Sequence, residues 1–433
     1  MHSSSPSSFR AGITKPNNTR KYMNTNHVRV SLEVDLEEKL FKMLEGEMIE
    51  KIIAEANYEP EENIWKNILE GHSFKVTHEM APKLYDLFQD VKEKLRYCKP
   101  IDFYITNSAE LNAFALTRIE KGEADIININ SGLISMFDDD ELRFVIGHEI
   151  GHLITRYARV LKLIDFIFPG LENIPLILAH KIELWQKVSE LTADRFGYIA
   201  SPSVEKCVSG FFKMASGLNT DRIKFDYQAY IRDNEKILDY FSENRNLLSH
   251  PVNPLRIKAI ELFGESKLFA AISQDKDLNH DDELAQKMQK LIEILITISS
   301  SPMDAQRKLF VASAGILMAQ VDKEIDEEEL EQILEALSMY TVFPKEFLSD
   351  MCKENVQKIF EESVRNIISQ NPAERTQLLE YMASVAFCDS NMFPTEMDFL
   401  FETGEKMLGL TRRETAQIMA VTLQQGFIPE LYK

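Results

Sequence analysis

Asp138-Asp139-Asp140-Glu141-Leu142-Arg143-Phe144-Val145-Ile146-Gly147-His148-Glu149-Ile150-Gly151-His152-Leu153 decides how the rest of this chain is read. Its first residues supply N-cap oxygens, and Glu141 stands three residues after Asp138, as in a capping box. Leu142, Val145, Ile146, Ile150 and Leu153 then recur at helical spacing, so the stretch predicts a helix. Residues i and i+4 of a helix share a face, so the imidazoles of His148 and His152 can grip one metal ion. Glu149 lies beside that face, where a carboxylate can take a proton from a water the metal activates. Gly147 and Gly151 would each weaken an ordinary helix by about 1 kcal/mol relative to Ala. Their expected use is close packing against the metal-bearing helix. Two solvated or core histidines are the bland alternative, and the surroundings must decide.

A catalytic zinc site typically takes three protein ligands plus a water. The best third ligand lies in Ser189-Glu190-Leu191-Thr192-Ala193-Asp194-Arg195. Glu190 and Asp194 are one helical turn apart and can face the same cleft. Glu190 is expected to bind the metal. Asp194 is expected to accept the free ring N–H of a ligand histidine, His148 in the first place, since metal-bound histidines nearly always have such an acceptor. A Glu/Asp pair on a helix is usually only a solvated face; its position after the His-Glu-x-x-His helix favours the ligand reading.

The order His-Glu-x-x-His, then Glu-x-x-Ala-Asp, resembles the gluzincin metallopeptidases of the HtpX and CAAX-prenyl-protease group. Asn112-Ala113-Phe114-Ala115, the strand-like Asp125-Ile126-Ile127-Asn128-Ile129-Asn130 and the short helix at Gly132-Leu133-Ile134 precede the motif as they do in that group. Ser249-His250-Pro251 followed by Arg256-Ile257 matches its closing element. The resemblance runs from about Ile101 to Leu262. It implies a zinc endopeptidase fold with one Zn2+ per chain, His148, His152 and Glu190 as ligands, and Glu149 as base. His250 and Arg256 are candidates for an oxyanion donor. His250 could equally be a fourth ligand that closes the site, and Arg256 could merely pair with a carboxylate such as Asp194.

The chain has 433 residues, too long for one core, so two or three domains are expected. Lys and Arg number 49 against 69 Asp and Glu, a formal net charge of -20. That balance disfavours nucleic acid and anionic membrane surfaces, both of which reward Lys/Arg clusters. Many relatives in the resembled group are integral membrane proteins. Here the most apolar stretch, Val160 to Ala179, is interrupted by Lys162, Asp165, Pro169, Glu172 and Pro175. A spanning helix needs about 20 predominantly apolar residues, so a helical pair or a lid is expected, with shallow membrane contact left open. Residues 1–26 are rich in Ser, Asn and Thr without an apolar signal core, and read as disordered. Cys98, Cys207, Cys352 and Cys388 show no Cys-x-x-Cys spacing, which fits free thiols and a cytoplasmic location.

The expected fold class is α+β and predominantly helical: a zincin-type peptidase domain with a small sheet, followed by an all-α domain. Residues 27–263 form the peptidase domain, with a helical lead-in to about 100 and a core at 101–263. Ile101 to Thr106 and Leu111 to Arg118 read as strands. Asn112, Ala113 and Phe114 are the candidate edge on which a protein or peptide substrate would add a strand. Residues 264–284 read as a linker and 285–433 as a helical domain with a weak repeat. Ala319-Gln320-Val321-Asp322 leads to Glu329 as Ala386-Phe387-Cys388-Asp389 leads to Glu396. Over about Leu291 to Met419 this resembles the TerB-like domain of tellurite-resistance and stress proteins. An EF-hand reading of Asp322, Glu324 and Asp326 fails, because Glu327 stands where the loop needs Gly and Ile333 where it needs its closing Glu. The expected function is a zinc endopeptidase in quality control or stress response, with a C-terminal domain that regulates or recruits a partner. The rival is a latent or non-catalytic zinc-fold scaffold.

Overall fold

The computed structural model describes residues 25–56, 62–117, 124–155, 157–171, 174–220, 223, 225–243, 253–276, 278, 280–296, 301–320, 327–388 and 393–426. The chain enters through α1 (Thr25–Val28), α2 (Ser31–Met43), α3 (Gly46–Glu55) and α4 (Glu62–His72). In α2 the predicted periodicity holds: Leu36 and Leu40 are fully buried while Met43 turns outward. A short strand β1 (Phe74–Lys75) and α5 (Pro82–Lys94) precede β2 (Ile101–Thr106), β3 (Ala113–Leu116) and β4 (Asp125–Asn130). The sheet order is β1-β2-β4-β3. β4 runs parallel to β2, pairing Phe103 with Ile127, and antiparallel to β3, pairing Ala113 with Ile129 and Leu116 with Ile126. The central β4 is buried along nearly its whole length, with Ile126, Ile127 and Ile129 in the core. β3 lies at the edge, so one side of its backbone is not paired in the sheet. Ala113 and Ala115 turn to the main core, whereas Phe114 and Leu116 turn to a small cluster with Leu69, Tyr104 and Ile126.

After α6 (Ser131–Met136) comes α7 (Asp139–Ile154), the metal-bearing helix. Its capping box is complete: Asp138 accepts from the Glu141 amide at 3.0 Å, and Glu141 accepts from the Asp138 amide at 2.9 Å. The next segments are α8 (Tyr157–Ile167), a 3-10 turn at Pro169–Leu171 and α9 (Leu176–Ala200). These break up the apolar run Val160 to Ala179, and among the described residues no helix is long and apolar enough to cross a membrane. The glycines of α7 have the packing role expected of them. A Cβ on Gly147 would stand 2.5 Å from Ala200 Cβ, and one on Gly151 would stand 3.0 Å from Ala193 Cα. Any side chain at either position would therefore push α9 away. Their absence lets α7 and α9 cross in backbone contact, which brings the faces carrying His148, His152 and Glu190 together.

The first core is completed by α10 (Val204–Ser216), α11 (Tyr227–Glu243), α12 (Asn253–Gly264), α13 (Lys267–Ser273) and α14 (Asp282–Ile296). Here the structure departs from the sequence reading. The expected linker 264–284 contains α13, and α14, assigned in sequence to the second domain from residue 285, packs on α12 and α9. Leu268, Leu284, Met288, Leu291 and Ile292 are all buried in the first core. The polar run Gln274 to Asp282 thus lies between two helices that pack in the same core.

A second core forms from α15 (Pro302–Gln320), α16 (Glu327–Ser338), α17 (Pro344–Met351), α18 (Val356–Gln370), α19 (Arg375–Ala386), α20 (Pro394–Lys406) and α21 (Arg412–Gly426). Phe310, Phe360, Leu379, Met382 and Leu400 lie at its centre. The repeat is visible in Glu329 and Glu396, buried at matched places in the first turns of α16 and α20. Glu396 accepts from the Phe393 amide at 2.9 Å, ordering the start of α20. Asp322, Glu324, Asp326 and Asp389, like residues 1–24, lie outside the described residues. The two cores meet at Val342, which is buried among residues of the first. Lys181 of α9 donates to the Val342 carbonyl at 3.0 Å, and the ammonium groups of Lys181 and Lys39 both stand over the Phe343 ring.

Candidate metal centre

The close crossing of α7 and α9 brings two imidazole nitrogens and the two oxygens of one carboxylate together around a small site. His148 Nε2 and His152 Nε2 are 3.2 Å apart; Glu190 Oε2 is 3.5 Å from the first and Glu190 Oε1 3.4 Å from the second. A tetrahedral ion with bonds of ~2.0–2.1 Å needs ligand atoms about 3.3–3.4 Å apart. The His–His distance and the distance from each imidazole to its nearer Glu190 oxygen lie close to that requirement. The donor chemistry fits as well: His148 Nδ1 faces a carboxylate and carries the ring proton there, so its Nε2 presents a lone pair into the site. These three residues are the one group among the described residues that could hold a metal ion through His, Cys, Asp or Glu.

The carboxylate behind His148 is Asp194, whose Oδ1 lies 3.0 Å from Nδ1. Asp194 is fully buried, and Arg256 of α12 clamps it with two hydrogen bonds, 2.6 and 2.8 Å long. Burial alone would raise the Asp194 pKa; the Arg256 charge and hydrogen bonds, with His148, hold it below the ordinary value. The same guanidinium reaches Glu190 Oε2 at 3.4 Å. Burial also opposes the charge of Glu190, but the His152 hydrogen bond and the His148 and Arg256 charges keep it well below the usual carboxylate range. Glu190 is thus anionic and ready to bind a cation. Glu149 is different: burial pushes its carboxyl up, against the opposing pull of His148, His152 and Arg256. A raised pKa is the property a proton carrier needs near neutral pH.

The residues singled out in sequence fall into three groups. His148, His152, Glu149, Glu190 and Asp194 come together in one buried cluster. Of the two roles open to Arg256, the geometry displays the pairing with Asp194. Asn112, Ala113 and Phe114 stand at the sheet edge, where β3 packs beside α7, and His250 lies outside the described residues. Two neighbours escaped the sequence reading. Tyr157 has its ring centroid 5.1 Å from that of His152, and it stacks on Trp185 at 4.6 Å. The only signal for them was an aromatic five residues after His152 and another five before Glu190.

Comparison with known proteins agrees with this division. Residues 80–168 match Peptidase family M48, and residues 308–420 match the tellurite resistance protein TerB. The plastoglobule-localized metallopeptidase 48 of Arabidopsis thaliana chloroplasts is 27% identical over 241 residues, 52% of this chain and 66% of that protein. A protease HtpX homolog of Sulfurihydrogenibium sp. is 34% identical over 82 residues, 19% of this chain and 27% of that protein. One from Nostoc punctiforme is 36% identical over 76 residues, 18% of this chain and 25% of that protein. The chain thus spans about two thirds of the chloroplast relative and about a quarter of each HtpX homolog. No solved structure matches. The M48 match ends before Glu190, Asp194 and Arg256, so the completion of the site rests on the geometry.

Proposed function

We propose that this chain, which carries a Peptidase family M48 domain ahead of a TerB domain, is a zinc-dependent endopeptidase. The observation that carries the reading is the convergence of His148, His152 and Glu190: the two imidazole Nε2 atoms are 3.2 Å apart, and each lies 3.4 or 3.5 Å from an oxygen of Glu190. Bound there, zinc supplies a Lewis acid that activates water and polarises a peptide carbonyl. The protein's own groups do the rest. Glu149, the only acidic side chain of α7 beside the ligands, takes the proton from the attacking water and later delivers it to the leaving amine. Its raised pKa makes the protonated form accessible for the second step. Asp194 keeps the His148 proton on Nδ1, and Arg256 keeps Asp194 ionised. An extended protein substrate adds to the open side of β3, with backbone hydrogen bonds from Ala113 to Leu116 aligning its scissile bond beside α7. The intact Glu149 argues against a purely structural zinc fold, which has no need of a base.

A role in stress response or quality control, regulated by the TerB domain, is part of this proposal and draws on the docking at Val342. A cytoplasmic setting draws only on the composition and the scattered cysteines. The test is a comparison of wild type with Glu149→Gln on an unfolded protein substrate, alongside metal analysis. We expect one zinc per chain in both proteins and a loss of cleavage of at least ~10²–10⁴-fold in the variant. Equal cleavage by both proteins would remove Glu149 from the mechanism. A wild-type protein that takes up no zinc would remove the metal reading.

A further inference from the structure

The two histidine ligands are held by different means. His148 is fixed through Nδ1 by Asp194, itself clamped by Arg256. His152 Nδ1 is buried and meets no hydrogen-bond partner among the described residues. Its neighbours are rings. Tyr157 lies at 5.1 Å with its plane inclined by 50°, and His148 meets it edge-on at 4.8 Å. Tyr157 is backed by Trp185, stacked at 4.6 Å with planes 19° apart and buried to 1% exposure. Trp185 Nε1 and Ser189 Oγ, one turn apart on α9, also meet no partner among the described residues, so this wall works by packing.

We propose that the Tyr157–Trp185 stack is the positioning device for His152, doing for the second ligand by aromatic packing what Asp194 does for the first by hydrogen bonding. An imidazole can turn about its Cβ–Cγ bond unless something stops it. Swinging the ring would move Nε2 out of the site and break its 3.4 Å relation to Glu190. The Tyr157 plane blocks that swing, and Trp185 prevents Tyr157 from yielding. The placement of the pair supports the role. Tyr157 opens α8 directly after the metal-bearing helix, and Trp185 lies five residues before Glu190 on α9. The stack therefore ties α8 to α9, the helix that supplies Glu190, and sets the Tyr157 ring against His152 of α7. A Phe at 157 preserves the ring and its packing, whereas a Leu preserves bulk without the plane.

This inference rests on the zinc reading, and its test separates the two. Zinc affinity would be measured on the full chain by chelator competition for wild type, Tyr157→Phe and Tyr157→Leu. The absorption bands of the Co2+-substituted proteins and the melting of the metal-free proteins would be recorded in parallel. We expect Tyr157→Phe to match wild type, and Tyr157→Leu to bind zinc about tenfold more weakly with altered Co2+ bands. If Tyr157→Leu does not fold, Trp185→Phe and Trp185→Leu make the same comparison of ring against bulk. Unchanged affinity and Co2+ bands in the folded Leu variant overturn the proposal, as does an equal loss in Phe and Leu variants, which would transfer the role to the hydroxyl. A wild type without zinc overturns the metal reading, and this one with it.

Discussion

The two cores of this molecule differ in how completely they bury paired charges. Inside the first, whole ionised groups are sequestered. Glu141 meets Lys213 at 2.7 Å and Asp194 meets Arg256 at 2.6 Å, each pair shielded from water. Arg195 donates to the backbone carbonyls of Val28 and Arg29, and burial pulls its pKa down to about 10. In the second core several buried polar groups serve the nearby backbone: Ser313 donates to Leu309 O, Ser363 to Phe360 O, and Glu396 accepts from Phe393 N. Its buried Glu374 pairs with Arg307 at 2.6 Å, but that guanidinium stays a third exposed to water. Burying a charge is expensive unless it is paired, and replacing such pairs by apolar residues is often stabilising. A core that retains them at its centre does so for chemistry or positioning. A core that keeps such a cation at the water's edge, and otherwise uses polarity to satisfy nearby backbone, is built for stability and docking.

The largest effect concerns where the first body ends. A chain stopped after Phe263 loses Leu268, Leu284, Met288, Leu291 and Ile292 from the first core. At ~1.5–3 kcal/mol each, these residues together rival the whole ~5–15 kcal/mol stability of a domain. Such a chain should lose its near-UV circular dichroism and its cooperative melting, while one stopped after Ile296 should keep both. Identical melting of the two would return α13 and α14 to the linker.

Asp194→Ala comes next. It leaves Arg256 buried without its main partner, which should destabilise the metal-free protein by about 3–5 kcal/mol and weaken zinc binding by roughly 10–100-fold. The pH dependence has a definite sign. Because the folded pKa of Asp194 is depressed, its contribution is present above the unfolded value of ~3.9 and is lost as pH falls through the lower folded value. Urea unfolding from pH 7 to pH 2 should show wild type and variant converging at the acid end. A constant gap would mean that the carboxylate acts by shape alone.

At the junction, Val342→Ala should cost about 2 kcal/mol and separate the melting of the two cores in calorimetry. One unchanged transition would show that Val342 does not couple them. In the second core, Glu396→Ala removes a helix-start acceptor and should cost about 1 kcal/mol, with zinc affinity unaltered. A change in zinc affinity there would erase the contrast between the two cores.

The smallest effect is a pH signature of the junction. Burial lowers the Lys181 pKa, with Lys39 and Lys345 adding to the effect and Glu346 opposing it. Between that lowered value and the unfolded value of ~10.4 the unfolded chain binds more protons, so stability should rise with pH in this window. The rise should be small and absent from Lys181→Met in urea titrations between pH 7 and pH 10. A rise that persists in the variant belongs to another group.

The parts of this protein that depend on neighbours in the chain were legible from sequence. The capping box at Asp138 and Glu141, the apolar period of α7 and the i, i+4 spacing of His148 and His152 are properties of one helix. The strands β2 and β4 announce themselves by β-branched runs, and Glu190 and Asp194 by their single-turn spacing. The edge position of β3 followed only from the order of the four strands, which residue pattern leaves open. Amphipathic α14 shows which of its faces is apolar but carries no address, so its sequence could not say which core it covers. The residues around His152 were hidden for a similar reason. An aromatic on a helix is usually core, and only the crossing of α7 and α9 turns Tyr157 and Trp185 into a wall behind a ligand.

By itself, the sequence determined the local chemistry: a capped helix bearing two imidazoles and a carboxylate, a second helix with two more carboxylates, and a helical repeat downstream. Tertiary structure alone decided that Arg256 would hold Asp194, that His152 would be held by rings, and that the second core would dock at Val342. Local periodicity follows from the geometry of one backbone. Which distant faces meet is settled by the joint packing of many side chains, and here by the room that Gly147 and Gly151 leave for α9.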